Sequence, residues 1–159
     1  MNVAQLMKNL TIIYHSQGGG TKKLITALID GILIQSFPEL ELNIEDSITI
    51  EPGKILKADA IVLGTTANFG YMSGALKHFF DRIYYPCLEA KRGLPYQLIV
   101  NADTDGFGAV NSVEKIVVGL GWKRIDSPLV FKGEITSKDL SACKDLGGTI
   151  AAGLEMGIF

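Results

Sequence analysis

Long hydrophobic runs are missing from this chain. Polar residues interrupt every apolar stretch, and no segment reaches the length needed to cross a bilayer. The exclusion is informative, because 47% of the residues are apolar and the mean hydropathy is positive, +0.25. The first ten residues, MNVAQLMKNL, lack the continuous apolar stretch of a signal peptide, so a cytoplasmic protein with no membrane partner is expected. Cysteine is scarce. Cys87 and Cys143 form no CxxC and have no metal-ligand neighbours, so two buried thiols are expected, with neither a disulfide nor a metal site. No sign of charge dominates: the net charge of −2 provides no basic field to attract nucleic acid.

Familiar catalytic motifs are absent by spacing. GGGTKK lacks the G-x-x-x-x-G-K-[ST] arrangement of Walker A, and three contiguous glycines cannot divide the tasks of G-x-G-x-x-G. Gly70–Gly74 reads G-x-x-S-G, one residue off the nucleophile elbow of hydrolases. A phosphoacceptor receiver domain needs acidic residues where Tyr14, His15 and Ser16 stand.

What is present begins with YHSQGGGTKKL, Tyr14 to Leu24. A hydrophobic run leads into a serine, three glycines and a threonine, and then a helical apolar pattern starts. Strand, glycine-rich turn and helix N-terminus in that order can hold a phosphate, because small residues let backbone N–H groups approach and the helix dipole favours an anion. Ser16, Gln17 and Thr21 can add side-chain donors. With no obvious metal ligand, the loop suits a terminal phosphomonoester bound without magnesium. The bland alternative is a plain strand-to-helix turn.

Five partly β-branched runs alternate with helical patterns: Leu10–Tyr14, Leu40–Ile44, Ala60–Leu63, Gln97–Asn101 and Ser127–Phe131. The first helix is expected to begin near Thr21, with Leu24, Ile25, Leu28, Ile29 and Ile32 on one face. A second follows Ser73, carries Leu76, Phe79, Phe80 and Ile83, and should end at Pro86. A third covers Ala109 to Leu120, closed by Gly121, and the last starts near Ser137, weakened in its middle by Gly147 and Gly148. The alternation predicts one domain over residues 1–159, with a parallel sheet covered on both faces. Such sheets bind ligands beyond the carboxyl ends of the strands, so the loops after strands one, three and four matter most. The other two of these read GTTANFGYMSGALKHFFDR, from Gly64, and NADTDGFGAV, from Asn101. Small residues beside Phe69, Tyr71 and Phe107 suit a phosphate attached to a flat ring.

The segment ADAIVLGTTANFGYMSGALKHFFDRI resembles the second FMN loop of the flavodoxin-like NAD(P)H:quinone oxidoreductases, the tryptophan-repressor-binding type included. Those enzymes carry Gly-Thr, a few residues, Phe-Gly, one residue and Met-Ser-Gly before a helix. The first loop resembles the phosphate loop of the wider flavodoxin-like superfamily. The resemblance implies a three-layer α/β/α sandwich with a five-stranded parallel sheet in the order 2-1-3-4-5. It implies that Ser16, Gln17, Gly18, Gly19, Gly20 and Thr21 surround the FMN phosphate. Thr65, Thr66, Ala67, Asn68, Phe69 and Gly70 would line the isoalloxazine, and Asn101, Asp103, Thr104 and Gly106 would meet its other edge or the ribityl chain. It further implies an NAD(P)H-dependent FMN oxidoreductase, with NADH or NADPH as donor, a quinone, flavin or similar small molecule as acceptor, and a homodimer or homotetramer. The other readings are a one-electron carrier of the flavodoxin type and a flavin-storing subunit. Asn68 stands where the quinone reductases often have arginine, the chain is shorter than theirs, and the third loop lacks their glycine-rich run. His15, beside the phosphate loop, is given no catalytic role, and Tyr71 is kept as a candidate proton donor.

Overall fold

A computed structural model describes residues 6–159. Its sheet is built from β1 (Lys8–Tyr14), β2 (Leu40–Asp46), β3 (Ala60–Asn68), β5 (Pro95–Ala102) and a last strand in two pieces, β6 (Lys123–Arg124) and β7 (Leu129–Lys132). A two-residue strand, β4 (Tyr71–Met72), pairs antiparallel with the end of β3. The helices are α1 (Gly20–Ile34), α2 (Pro52–Lys57), α3 (Gly74–Leu88), α4 (Phe107–Leu120) and α5 (Ser137–Glu155). The path β2-β1-β3-β5-β6, with β7 also on β5, is the expected 2-1-3-4-5 order. All pairs on that path are parallel.

Alternating side chains divide the core in two, as a parallel sheet buried on both faces requires. Ile13, Ile61, Leu63, Leu98 and Val100 point to the face covered by α3 and α4, where they meet Leu76, Phe79, Phe80, Ile83, Val113 and Val117. Leu10, Ile12, Val62 and Ile99 point to the face covered by α1 and α5, against Leu24, Ile25, Leu28, Ile32, Cys143 and Ile150. The apolar stripes of α1 and α3 are therefore those the periodicity predicts. Both cysteines are free and buried, as expected.

Three local readings need correction. Pro86 does not end α3, which continues to Leu88. The hydrogen bond that proline removes falls in the last turn, and the next residue, Cys87, is fully buried in the core. The fifth strand is not one run starting at Ser127. It breaks between Arg124 and Leu129, and the buried Gln97 fills the gap: its carboxamide donates to Ser127 O (3.0 Å) and accepts from Asp126 N (3.1 Å). The short helix α2 had no strong apolar pattern of its own. Gly147 is not a mere weak point of α5, which runs unbroken through both glycines. A Cβ on Gly147 would stand 2.0 Å from Leu28 O, and one on Gly31 would stand 1.8 Å from Lys144 O, so Gly147 and Gly31 let α1 and α5 touch backbone to backbone. Between Ile83 and Tyr96, Ile83, Cys87, Leu94 and Tyr96 are buried in the core, and Tyr85 is exposed.

Two outcomes follow from this packing. Gly147→Ala should lose about 3 kcal/mol in denaturant unfolding, because backbone must move. Gly148→Ala meets only the flexible end of Gln35, at 3.0 Å, and should be neutral or gain up to about 1 kcal/mol from helix propensity. Separately, burial pushes the Cys143 thiol from its ordinary 9.0 up to about 12. The unfolded thiol ionises first, so this contribution is complete below pH 9.0 and is lost as the pH rises towards 12. Stability curves of the wild type and Cys143→Ala should converge over that range.

Candidate functional site

The parallel register brings the ends of the strands to one edge. Tyr14 pairs with Asp46 on one side and Gly64 on the other, and Thr66 pairs with Asn101. Chain order reverses between β1 and β3, which opens a crevice beyond those ends. A cavity of about 360 Å³ lies there, lined by His15, Gln17, Gly18, Ile48, Thr66, Asn68, Ser73, Gly74 and Ala75. A larger cavity, about 600 Å³, lies among Lys8, Asp59, Pro95, Lys123 and Phe159. It is at the edge where strands begin, away from the glycine loops, so we place the site in the smaller one.

The loop after β1 is closed by its own serine: Ser16 Oγ accepts the Gly19 N–H at 3.1 Å. Gly19 adopts φ 83°, a left-handed conformation suited to glycine, and begins α1 without a capping side chain. The helices α3 and α5 are capped, by Ser73 and by the Thr136–Asp139 box. The first N–H groups of α1 have no such acceptor, and no acidic residue sits in its first turn. Thr21 Oγ1 is also buried and without a hydrogen-bond partner among the described residues. Cβ atoms built on Gly18 and Gly19 would meet nothing within 4 Å, whereas one on Gly20 would strike Asn101 Nδ2 at 2.3 Å. The first and third loops therefore touch at Gly20, and space opens at the two glycines before it.

The loop after β3 is a hairpin. Asn68 pairs with Tyr71 across Phe69 and Gly70, whose φ values are 52° and 72°. Positive φ at both central residues marks a type I′ turn, which ordinarily favours asparagine and glycine. Phenylalanine in this position is strained, and the residue is fully exposed. Phe107, on the third loop, is 67% exposed. Gly108 lies under the turn: a Cβ there would be 1.9 Å from Gly70 O, so the second and third loops cross at this glycine. Thr65 does not line the cavity. Its buried hydroxyl donates to Thr66 O (2.9 Å) and accepts from Ser73 N (3.0 Å), joining the strand end to the cap of α3.

No family model matches the chain. A flavodoxin from Aquifex aeolicus is 31% identical over 77 residues, 48% of this chain and 40% of its own length. An NAD(P)H dehydrogenase (quinone) from Archaeoglobus fulgidus is 30% identical over 47% of this chain and 51% of its own. The matches thus span about half, or less, of these curated relatives. A solved flavodoxin from the domain Archaea superposes with a TM-score of 0.80 over 92% of this chain and 99% of that one, at 21% identity. The chain has the flavodoxin-like fold.

Within this fold, Gln17, Gly18, Thr66 and Asn68 share the cavity wall. Gly19, Gly20 and Thr21 form the adjoining helix end. Ala67 pairs with Met72 at the base of the hairpin. Asn101 meets Gly20, and Gly106, at φ 67°, starts α4. Asp103 and Thr104 are exposed and stand outside the cavity wall. His15, expected beside the phosphate loop, is in the wall, and Ile48, Ser73, Gly74 and Ala75 are wall residues that were not named as site residues from the pattern. Ile48 lies far from any glycine loop in sequence and carries no local signal. Ser73 to Ala75 do carry one, as a helix start facing the same edge.

The turn strain has a measurable consequence. Phe69→Asn should stabilise the ligand-free protein by about 1 kcal/mol in urea unfolding, because asparagine tolerates a left-handed backbone. Gly108→Ala should destabilise it, since the clash is with backbone.

Proposed function

We propose that the chain is an FMN-binding flavoprotein acting as an NAD(P)H-dependent oxidoreductase, with a quinone, flavin or similar small molecule as acceptor. One observation carries the reading: an uncapped, glycine-lined helix end and a strained, exposed aromatic turn share one sheet rim. The two halves suit the two ends of a mononucleotide. At the anionic end, the orphaned N–H groups of α1 and the unpartnered Thr21 hydroxyl fit a phosphate. At the flat end, Phe69 presents a whole ring face for stacking, and Asn68 and Thr66 supply polar groups beside it.

Bound FMN supplies the electron-carrying chemistry, accepting electrons from NADH or NADPH and releasing them to the acceptor. The residues named here hold and orient it. Ser16 shapes the loop, Thr65 fixes the hairpin to α3, and Gly108 sets the height of the Phe69 turn. The name of the Archaeoglobus relative supports a quinone as acceptor. Donor and acceptor using one open face in turn would give ping-pong kinetics. A homodimer or homotetramer is part of the same reading, to be checked by light scattering.

A second reading, a one-electron carrier, is supported by the almost full-length superposition on an archaeal flavodoxin. The net charge of −2 argues mildly for the enzyme, since strongly acidic surfaces help carriers dock basic partners. Anaerobic NADPH decides between them: rapid bleaching of the flavin absorbance is expected for the oxidoreductase, and a spectrum indifferent to NADH and NADPH would overturn it. Phe69→Ala should weaken FMN binding about tenfold in a fluorescence titration while leaving the fold intact.

A further inference from the structure

The ionisable wall residue, His15, has no part in this reading. We propose that His15 is a proton-dependent contact for the phosphate end of FMN, held in position by Asp46. The inference deepens the cofactor reading and rests on it.

His15 immediately follows β1 and lies in the cavity wall beside Gln17 and Gly18. Its Nδ1 is 3.0 Å from Asp46 Oδ2. A carboxylate only accepts, so Nδ1 keeps its proton and Nε2 is the nitrogen whose state can change. Nε2 has no hydrogen-bond partner among the described residues. Neutral imidazole would turn a lone pair towards an anion, whereas imidazolium would donate a charge-assisted hydrogen bond. Binding a phosphate there takes up a proton.

The support behind His15 is built from several elements. Asp46 Oδ1 accepts the Ile48 N–H at 2.8 Å, so both carboxylate oxygens are used. Partial burial alone would push the Asp46 carboxyl up, but the Ile48 N–H and the His15 ring outweigh it and hold it below the ordinary carboxylate value. The following turn is tied down at three points. Ser47 N donates to Tyr14 O (3.2 Å), and Arg82 of α3 donates to the carbonyls of Ser47 and Ile50. The charged and titratable groups around the pair are Tyr14 from β1, Glu45 from β2 and Lys22 from α1. Lys54 from α2 is 3.4 Å from Glu45. The cavity residues contributed by β3 and α3 (Thr66, Asn68, Ser73, Gly74 and Ala75) carry no titratable group. His15 is therefore the ionisable side chain of this wall.

The experiment titrates apoprotein with FMN and with riboflavin by flavin fluorescence between about pH 6.5 and about pH 8.5, above the second ionisation of the phosphate. FMN should bind roughly three- to tenfold more weakly at the upper pH, and riboflavin equally at both. His15→Gln keeps a neutral donor and should abolish the FMN slope. Asp46→Asn leaves the imidazole but loosens it, and should weaken FMN at the lower pH without touching riboflavin. Should a variant fail to fold, NMR titration of the wild type serves instead: FMN should move the His15 curve to higher pH and leave that of His78, the second histidine, in place. An FMN slope that persists in His15→Gln, or a His15 curve unmoved by FMN, overturns the proposal while leaving FMN binding intact. Failure of both flavins to bind overturns the cofactor reading itself.

Discussion

Burial of both faces of one parallel sheet is the constraint from which the rest of this molecule follows. Parallel strands cannot be joined by tight turns, so each connection runs through a helix, and each helix must bury an apolar stripe on one of two faces. Two cores result, one under α3 and α4 and one under α1 and α5. Every strand of the parallel path then ends at the same edge, so the loops that leave the sheet there are gathered without any contact having been designed between them. The cavity between the first two loops lies where the order of strands reverses.

The gathered loops are fixed by places where no side chain fits. Gly20 against Asn101 joins the first loop to the third, and Gly108 against Gly70 joins the third to the second. These are close approaches, a different use of glycine from the left-handed backbone of Gly19 and Gly70. With the loops locked, one strained residue can be held. Phe69 keeps a positive φ because the hairpin pairing of Asn68 with Tyr71 and the crossing at Gly108 over-determine it. A protein selected for stability alone would place asparagine there. The cost falls at the rim where a flat ligand has most to gain from an exposed ring.

Much of this was legible beforehand. The stripes of α1 and α3 and the β-branched runs of β1 and β3 follow from periodicity and from the alternation of strand with helix, whereas the sheet order was what the resemblance implied. The first loop was legible as an anion-binding turn because its residue types act locally, through backbone N–H groups and a helix end. The misreadings share a cause. Pro86 carries a local penalty that burial of Cys87 overrides, and Gly147 carries a poor helix propensity that contact with Leu28 O reverses. Thr65 is a different case: the resemblance implied a ligand contact there, and the structure shows its hydroxyl engaged inside, accepting from Ser73 N.

What the sequence determined by itself is the set of short-range tendencies: which segments are strands, which faces are apolar, and which turn can leave N–H groups unpaired. Those depend on neighbours within about four residues, and the chain order carries them. What only the tertiary structure decided is which residues from distant segments meet. His15 faces Asp46 across two strands, Arg82 reaches back to the Ser47–Ile50 turn, and Ile48 enters a wall with Thr66. Such contacts depend on register and on helix placement, set by the burial of the whole core, and no local pattern records them.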